Sequence, residues 1–496
     1  MVRHKMLSTL TRGIILAQIM TAIICLQAAV AKDSSPSTFA MCSNGQFVDN
    51  PLHSQAMIDA GATMCRLDAS FRQTRPKPGG NPNSWDWSSF EKLRQIKKQH
   101  PSLDYLLILG YGTKWAADPR FLSSPGSDTG LPQTGINEPV TSPENLYGNY
   151  VYEAVSRYKD VCHVWESWNE PDLPDHTFFR GNGHDFFPYQ RACYLAAKKA
   201  DPNCTVLFAG LCFANIEGYL KSHNLKCPGL TPPPTSFFED YLKECVKDPN
   251  AKANNFYFDV MNQHSYSRAT DLYDYVSVDQ ALMKDYLKEA KPVWVTEMGW
   301  PDTGGTFGGT ADEYGDYELQ TYAWAQLSGV QKLFHFQLDN SNGLGLYSGM
   351  LGAPKPVLKV YRDVLVKELS GARLVAQLHG NEGVGFLKNN SPYQPTWATG
   401  YDLFEFTRNG TRLLMCFTDG LRDAYIKVPA KKAAATVIDR FGTRTTLSAI
   451  NGFYNIHLPG SKNNAGWPSM ANCPKGKALG VPEHLVGGST VLIIEK

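Results

Sequence analysis

The 496-residue chain lacks an excess of charge of either sign, with 48 lysines and arginines against 47 aspartates and glutamates. That balance excludes a field able to collect nucleic acid or an acidic membrane surface, so neither is expected as a partner. No Cys-x-x-Cys pair and no His-Glu-x-x-His spacing occurs. Structural zinc and metalloprotease chemistry therefore find no support, and no metal or cofactor is expected. Internal repeats and low-complexity tracts are also missing. The one long apolar run, 14–30, is broken by Gln18, Thr21 and Gln27, follows Arg3, His4, Lys5 and Arg12, and ends in Ala29-Val30-Ala31. It reads as a secretory signal over 1–31, cleaved before Lys32, and not as a membrane anchor. The segment 491–496 is too short and too charged to signal a lipid anchor. The expectation is a secreted protein, extracellular or periplasmic.

Ten of the eleven cysteines follow that signal, and in an oxidising compartment some should pair. Cys227 and Cys245 flank a proline-rich loop and are expected to staple it; Cys416 and Cys473 are the pair available near the C-terminus. Asn203 and Asn409 open glycosylation sequons.

Between residues 37 and 370, short apolar segments alternate with amphipathic helical ones. Strands are expected at 39–42, 63–67, 105–109, within 161–171, at 205–211, 256–262, 292–300 and 332–338. The helix at 87–99 shows the pattern plainly, with Phe90, Leu93 and Ile96 on one face. Eight strands and eight helices predict an α/β protein, a (β/α)8 TIM barrel over 32–370. The strand-to-helix loops 111–142, 172–184, 213–235 and 301–310 are long, and the return connections are short. All elaboration thus falls on the face where barrels carry their chemistry. After 371 the pattern changes to short strands between Gly, Asn and Pro turns, which predicts a β-sandwich over 371–496.

The most informative stretch is V-C-H-V-W-E-S-W-N-E-P at 161–171. Pro171 cannot donate a ladder hydrogen bond, so the strand must leave the sheet beside Asn169 and Glu170. A second strand, P-V-W-V-T-E-M-G-W at 292–300, also ends in a glutamate, Glu297. A lone strand-end glutamate reads as a helix-capping residue. Two of them, set among tryptophans, form the acid and the carboxylate that glycoside cleavage needs, beside aromatic faces for sugar rings. Arg66 at the end of strand two would keep Glu297 ionised, and the Glu297 charge would keep Glu170 protonated. Glu166 has the strand parity of Glu170 but lies deeper, and is read as a buried support.

The spelling W-E-x-W-N-E-P, with H-x-Y on strand six and T-E-x-G-W on strand seven, resembles clan A of the glycoside hydrolases. It is most similar to family 39, which holds β-xylosidases, α-iduronidases and exopolysaccharide hydrolases; families 5 and 30 are left open. The resemblance covers the barrel and, more loosely, the sandwich. It implies a retaining hydrolase of an oligo- or polysaccharide, with Glu170 as general acid/base and Glu297 as nucleophile. It further implies Asn169 on a sugar hydroxyl, and Arg66, His264 and Tyr266 around the nucleophile. Strand eight ends F-H-F-Q-L-D at 334–339, without the tryptophan common in this clan, and Trp300 or Trp115 is expected to supply the stacking face. Two other readings share the residues: a transglycosylase, and a non-catalytic carbohydrate-binding barrel.

Overall fold

The computed structural model describes residues 38–44, 46–75, 77–78, 85–225, 232–302, 309–340, 343–380, 400–418, 422–461 and 486–495. The expected signal segment, Cys227 and Cys473 lie outside these residues. Eight strands form one parallel sheet: β1 (Thr38–Cys42), β2 (Met64–Asp68), β3 (Asp104–Ile108), β4 (Val164–Glu166), β5 (Thr205–Leu207), β6 (Met261–Ser265), β7 (Val293–Met298) and β8 (Val330–His335). Their order is β5-β4-β3-β2-β1-β8-β7-β6. Parallel bridges Leu207↔Val260 and Leu211↔Gln263 join the two edges and close the barrel.

Alternation along the strands separates two cores. Ala40, Cys42, Met64, Leu106, Leu207, Trp294 and Phe334 fill the barrel interior. The residues between them, such as Phe39, Met41, Cys65 and Leu107, face the surrounding helices. Arg66 shares the inward parity of Met64, and Asn262 and His264 share one parity on β6. Glu297 departs from this rule. The β7 register shifts against β8 between Val295 and Met298, and against β6 at Gln263/His264. Such an irregularity re-aims side chains, so neighbouring Thr296 and Glu297 both reach the interior.

The outer helices include Ser88–Gln99, Leu146–Tyr158, Gly183–Ala200, Asp271–Leu287 and Ala311–Leu327. Among the described residues no helix is long and apolar enough to cross a membrane. Two expectations shift. Residues 256–258 do not open strand six: Asn255, Phe256 and Tyr257 have positive φ, and Phe258 packs on Phe208 under the helices at 5.6 Å. Aromatic content imitated a strand there, and β6 begins at Met261. The loop expected at 213–235 contains a helix, Phe213–Ser222.

The C-terminal part is an antiparallel sandwich. Its strands are β9 (Arg373–His379), β10 (Tyr401–Arg408), β11 (Thr411–Thr418), β12 (Ala424–Pro429), β13 (Ala434–Asp439), β14 (Arg444–Ser448), β15 (Phe453–Leu458) and β16 (Val491–Glu495). A six-stranded sheet, β14-β13-β16-β11-β10-β9, faces the pair β12-β15 across Leu414, Ile426, Val428, Ile456 and Ile493. The larger sheet docks on helix Ala311–Leu327, with Phe404 against Trp324 and Phe406 against Tyr322 at 5.5 and 5.7 Å. Arg440 adds a 2.6 Å ion pair to Asp316. No two of the described cysteines form a disulfide; all eight are buried thiols. Each expected disulfide has one member outside the described residues.

Candidate active site

At the carboxyl ends of the barrel strands lies a cleft of about 690 Å3, lined among others by Arg66, Asp68, Asn169, Glu170, Tyr266, Glu297 and Phe336. Arg66 organises its floor. Its Nε and Nη2 donate to the two oxygens of Glu166 at 2.7 and 2.8 Å, a bidentate fork. The remaining donors reach Glu297 Oε1 at 2.6 Å and Asn169 Oδ1 at 2.7 Å. With its oxygen taken, Asn169 offers its amide N–H groups to a ligand. Glu166, fully buried, also accepts the Gly210 N–H at 3.2 Å. Asp68 is not the partner of Arg66; it receives the Tyr111 hydroxyl at 3.0 Å.

Glu170 sits in the left-handed region at φ 39°, uncommon for a side-chain-bearing residue and disfavoured before proline. Its N–H donates to Gly210 O at 2.8 Å, and Asn169 bridges to Gly210. The loop after β5 thus holds this turn in place. Its carboxylate meets His264 Nδ1 at 3.0 Å. His264 Nε2 contacts Thr296 Oγ1 at 3.0 Å, and that hydroxyl donates to Asn262 Oδ1 at 2.7 Å. Thr296 therefore accepts from Nε2–H, which leaves Nδ1 facing both glutamates, 3.6 Å from Glu297 Oε2. Tyr266 donates to the same Oε2 at 2.5 Å.

The two glutamates titrate in opposite directions. Burial pushes Glu297 up, but His264, the Arg66 guanidinium and the Tyr266 hydroxyl outweigh it and hold the carboxyl below its ordinary value. Burial raises Glu170, the His264 hydrogen bond opposes, the Glu297 charge adds, and the net shift is upward. His264 is raised: burial works against its charged form, and the two glutamates prevail. One ligand atom from each of Glu170, His264 and Glu297 lies within 4.8 Å of the others. That trio could hold a metal ion, but hydrogen bonds within the site already engage its atoms.

The structure thus brings Arg66, Asn169, Glu170, His264, Tyr266 and Glu297 around one cleft. Trp300 and Trp115 are not among the residues lining it. Trp300 is 1% exposed and lies against Tyr317 at 5.3 Å. Trp115 stacks on Phe71 at 5.9 Å and donates to Arg75 O at 3.1 Å. The aromatic lining comes instead from Tyr111, Phe178, Tyr266 and Phe336, with Phe336 edge-on to Tyr266 at 5.9 Å. Sequence reasoning noted the missing tryptophan of strand eight without giving its place to the phenylalanine standing there. It also read Asp68 only as a possible salt-bridge partner for Arg66, although Asp68 shares that residue's parity nearer the mouth and lines the cleft.

The barrel of eight parallel strands with a trailing antiparallel sandwich is similar in fold to solved glycoside hydrolases of families 39 and 30. A family 39 glycoside hydrolase from Bacteroides cellulosilyticus WH2 superposes at TM-score 0.62 and 15% identity, over 93% of this chain and 81% of that one. A family 39 β-xylosidase from Caulobacter crescentus gives 0.56 at 11% identity, over 93% and 97%. A family 30 endoxylanase from Clostridium papyrosolvens C71 gives 0.56 at 13%, over 93% and 97%. Protein-family models and curated proteins compared by sequence return no match. What is shared at these identities is the fold.

Proposed function

We propose that this chain is a retaining glycoside hydrolase working by double displacement, with Glu297 as nucleophile and Glu170 as general acid/base. The observation that carries the reading is the pair itself: two carboxyl groups within 4.8 Å, one held below its ordinary pKa and the other pushed above it. Retaining enzymes place their carboxyl groups ~5–5.5 Å apart, whereas inverting ones leave ~6.5–9.5 Å for a water.

Glu297 attacks the anomeric carbon as the glycosidic C–O bond breaks, and Glu170 gives its proton to the departing oxygen. Bonding to the sugar removes the Glu297 charge, and with it one cause of the raised Glu170 pKa. Glu170 then takes a proton from the water that attacks the glycosyl-enzyme, and Glu297 leaves as carboxylate. Arg66 and Tyr266 hold the nucleophile's two oxygens, and Asn169 donates to a sugar hydroxyl.

The fold neighbours include enzymes named xylosidase and xylanase, so β-xylosides come first in a panel of aryl glycosides and polysaccharides. Hydrolysis by the intact chain and its loss in Glu297→Gln test the reading. Proton NMR of the first-formed anomer tests retention; an inverted anomer would remove Glu297 from the nucleophile's role. We also propose export, on the strength of the basic and apolar N-terminal residues. An N-terminus at Lys32 in protein recovered outside the cell is the expected result.

A further inference from the structure

Asp172 is not among the residues lining the cleft, yet its side chain ties the turn that carries Glu170 to the loop after β5. It is 6% exposed. Its carboxylate accepts the Cys212 N–H at 3.0 Å, the Asn215 N–H at 2.8 Å and the Cys212 thiol at 3.2 Å. Those donors form the start of helix Phe213–Ser222, whose own N-cap residue, Cys212, supplies no side-chain cap. Asp172 therefore caps a helix that belongs to another loop. The Glu170 N–H makes its own bond to Gly210 in that loop. The segment 170–172 is thus fastened to 210–215 at both ends, across the point where Glu170 adopts its left-handed backbone. A residue so strained persists only where its surroundings over-determine it.

The layer behind Asp172 keeps it in place. Asn215 accepts Ser236 Oγ at 2.7 Å and the Phe238 N–H at 2.9 Å, and its amide reaches Asp279 Oδ1 at 3.4 Å. Asp279 is fully buried, and its Oδ2 has no hydrogen-bond partner among the described residues. Burial and the nearby Asp172 charge push its pKa well above the ordinary carboxylate range. Every group bonded to Asp172 donates, the pattern of an ionised carboxylate; burial raises its pKa, and the Cys212 and Asn215 hydrogen bonds oppose that rise.

Resting on the glycosidase reading above, we propose that Asp172 is a positioning residue for the general acid. By capping helix Phe213–Ser222 it fixes the 170–172 turn and aims the Glu170 carboxyl at His264 and at the leaving oxygen. The ionisable groups around Glu170 are His264, Glu297, Asp172, Tyr266 and Cys212; those next to Asp172 are Cys212, Asp279 and Glu170.

The test pairs a dinitrophenyl glycoside, whose leaving group needs no proton, with the methyl glycoside of the same sugar, whose leaving group does. For Asp172→Asn, kcat/KM on the methyl glycoside should fall by about 10²-fold, the cost of misplacing a catalytic group by about 1 Å. On the dinitrophenyl glycoside the loss should stay within about 3-fold, well below the 10²–10⁴ that proton transfer supplies. The alkaline limb of the pH profile should move to lower pH, because one negative charge has left the neighbourhood of Glu170. Asp172→Ser offers one capping oxygen without the amide N–H groups that Asn would turn toward these donors, and should fall between wild type and Asp172→Asn. Equal losses on both substrates, an unmoved alkaline limb, or failure of both variants to fold would reduce Asp172 to a structural cap and overturn the proposal. Wild-type chain that cleaves neither glycoside of any sugar in the panel would instead count against the glycosidase reading itself.

Discussion

The ring of His264 stands where a side chain at Gly210 would have to go: a Cβ there would meet Nε2 at 2.2 Å. Glycine at 210 is thus required by the site, since the backbone after β5 must pass directly over the imidazole. Gly210→Ala should push the ring from Thr296 and loosen its contact with Glu170. A kcat/KM loss of about 10²-fold is expected, with a stability cost of about 1–3 kcal/mol for the overpacking. Steady-state kinetics and a thermal melt measure both. Wild-type turnover in this variant would mean that the His264 position is immaterial.

Arg66 answers to two buried carboxylates; removing it leaves Glu166 without a cation and Glu297 with only His264 and Tyr266. Arg66→Met should cost about 3–5 kcal/mol, as breaking a buried pair does. Adding Glu166→Leu should recover part of that loss without recovering activity, because Glu297 still lacks its cation. Activity needs Glu297 ionised, and its pKa should rise without Arg66. The acidic limb of the double variant should therefore move to higher pH. Denaturant melts and a pH profile of the two variants separate these effects.

In the wild-type chain the opposed shifts predict a bell-shaped kcat/KM profile broader than two ordinary glutamates could give. The acidic limb follows Glu297 and should fall below the ordinary value of ~4.3, and the alkaline limb follows Glu170 and should lie above it. The stability signs also differ. Glu297, lowered in the folded state, contributes stability that is present above the unfolded pKa and lost as pH falls through the folded one. Glu170, raised in the folded state, costs stability as pH climbs from the unfolded pKa through the folded one. Reversed limbs, with Glu297→Gln abolishing the alkaline one, would exchange the two roles.

Much of this arrangement was legible in the sequence because a barrel gathers its strand ends whatever their separation along the chain. Asn169, Glu170 and Tyr266 stand just past such an end, His264 and Glu297 one residue inside it, and Arg66 two. What sequence reading missed depends on contacts between distant segments. The preference of Arg66 for Glu166 over Asp68 follows from which strands are neighbours and how deep each side chain lies. The inward reach of both Thr296 and Glu297 depends on a register shift, which strict alternation forbids. Residues 256–258 have strand-like composition, but tertiary packing under Phe208 overrides it. Strand β14, RTTLS, is polar and exposed at most positions, so no apolar alternation announced it.

The last prediction separates the tryptophans from the phenylalanine that lines the cleft. Phe336 stands at the end of β8 with its ring edge-on to Tyr266, the residue that donates to Glu297. Its truncation removes a wall of the cleft and support for that tyrosine. Phe336→Ala should therefore raise KM and lower kcat, the latter through a looser Tyr266–Glu297 bond. Phe336→Trp should restore KM to near wild type, because the position needs a flat apolar face more than a particular ring. Trp300→Phe replaces a ring packed on Tyr317, and Trp115→Phe one stacked on Phe71; neither faces the cleft. Both should melt at lower temperature with KM within about 2-fold of wild type, as for a substitution that costs stability but touches no ligand. If KM instead rises in Trp300→Phe and is unmoved in Phe336→Ala, sugar stacking belongs to the loop after β7 and not to the end of β8.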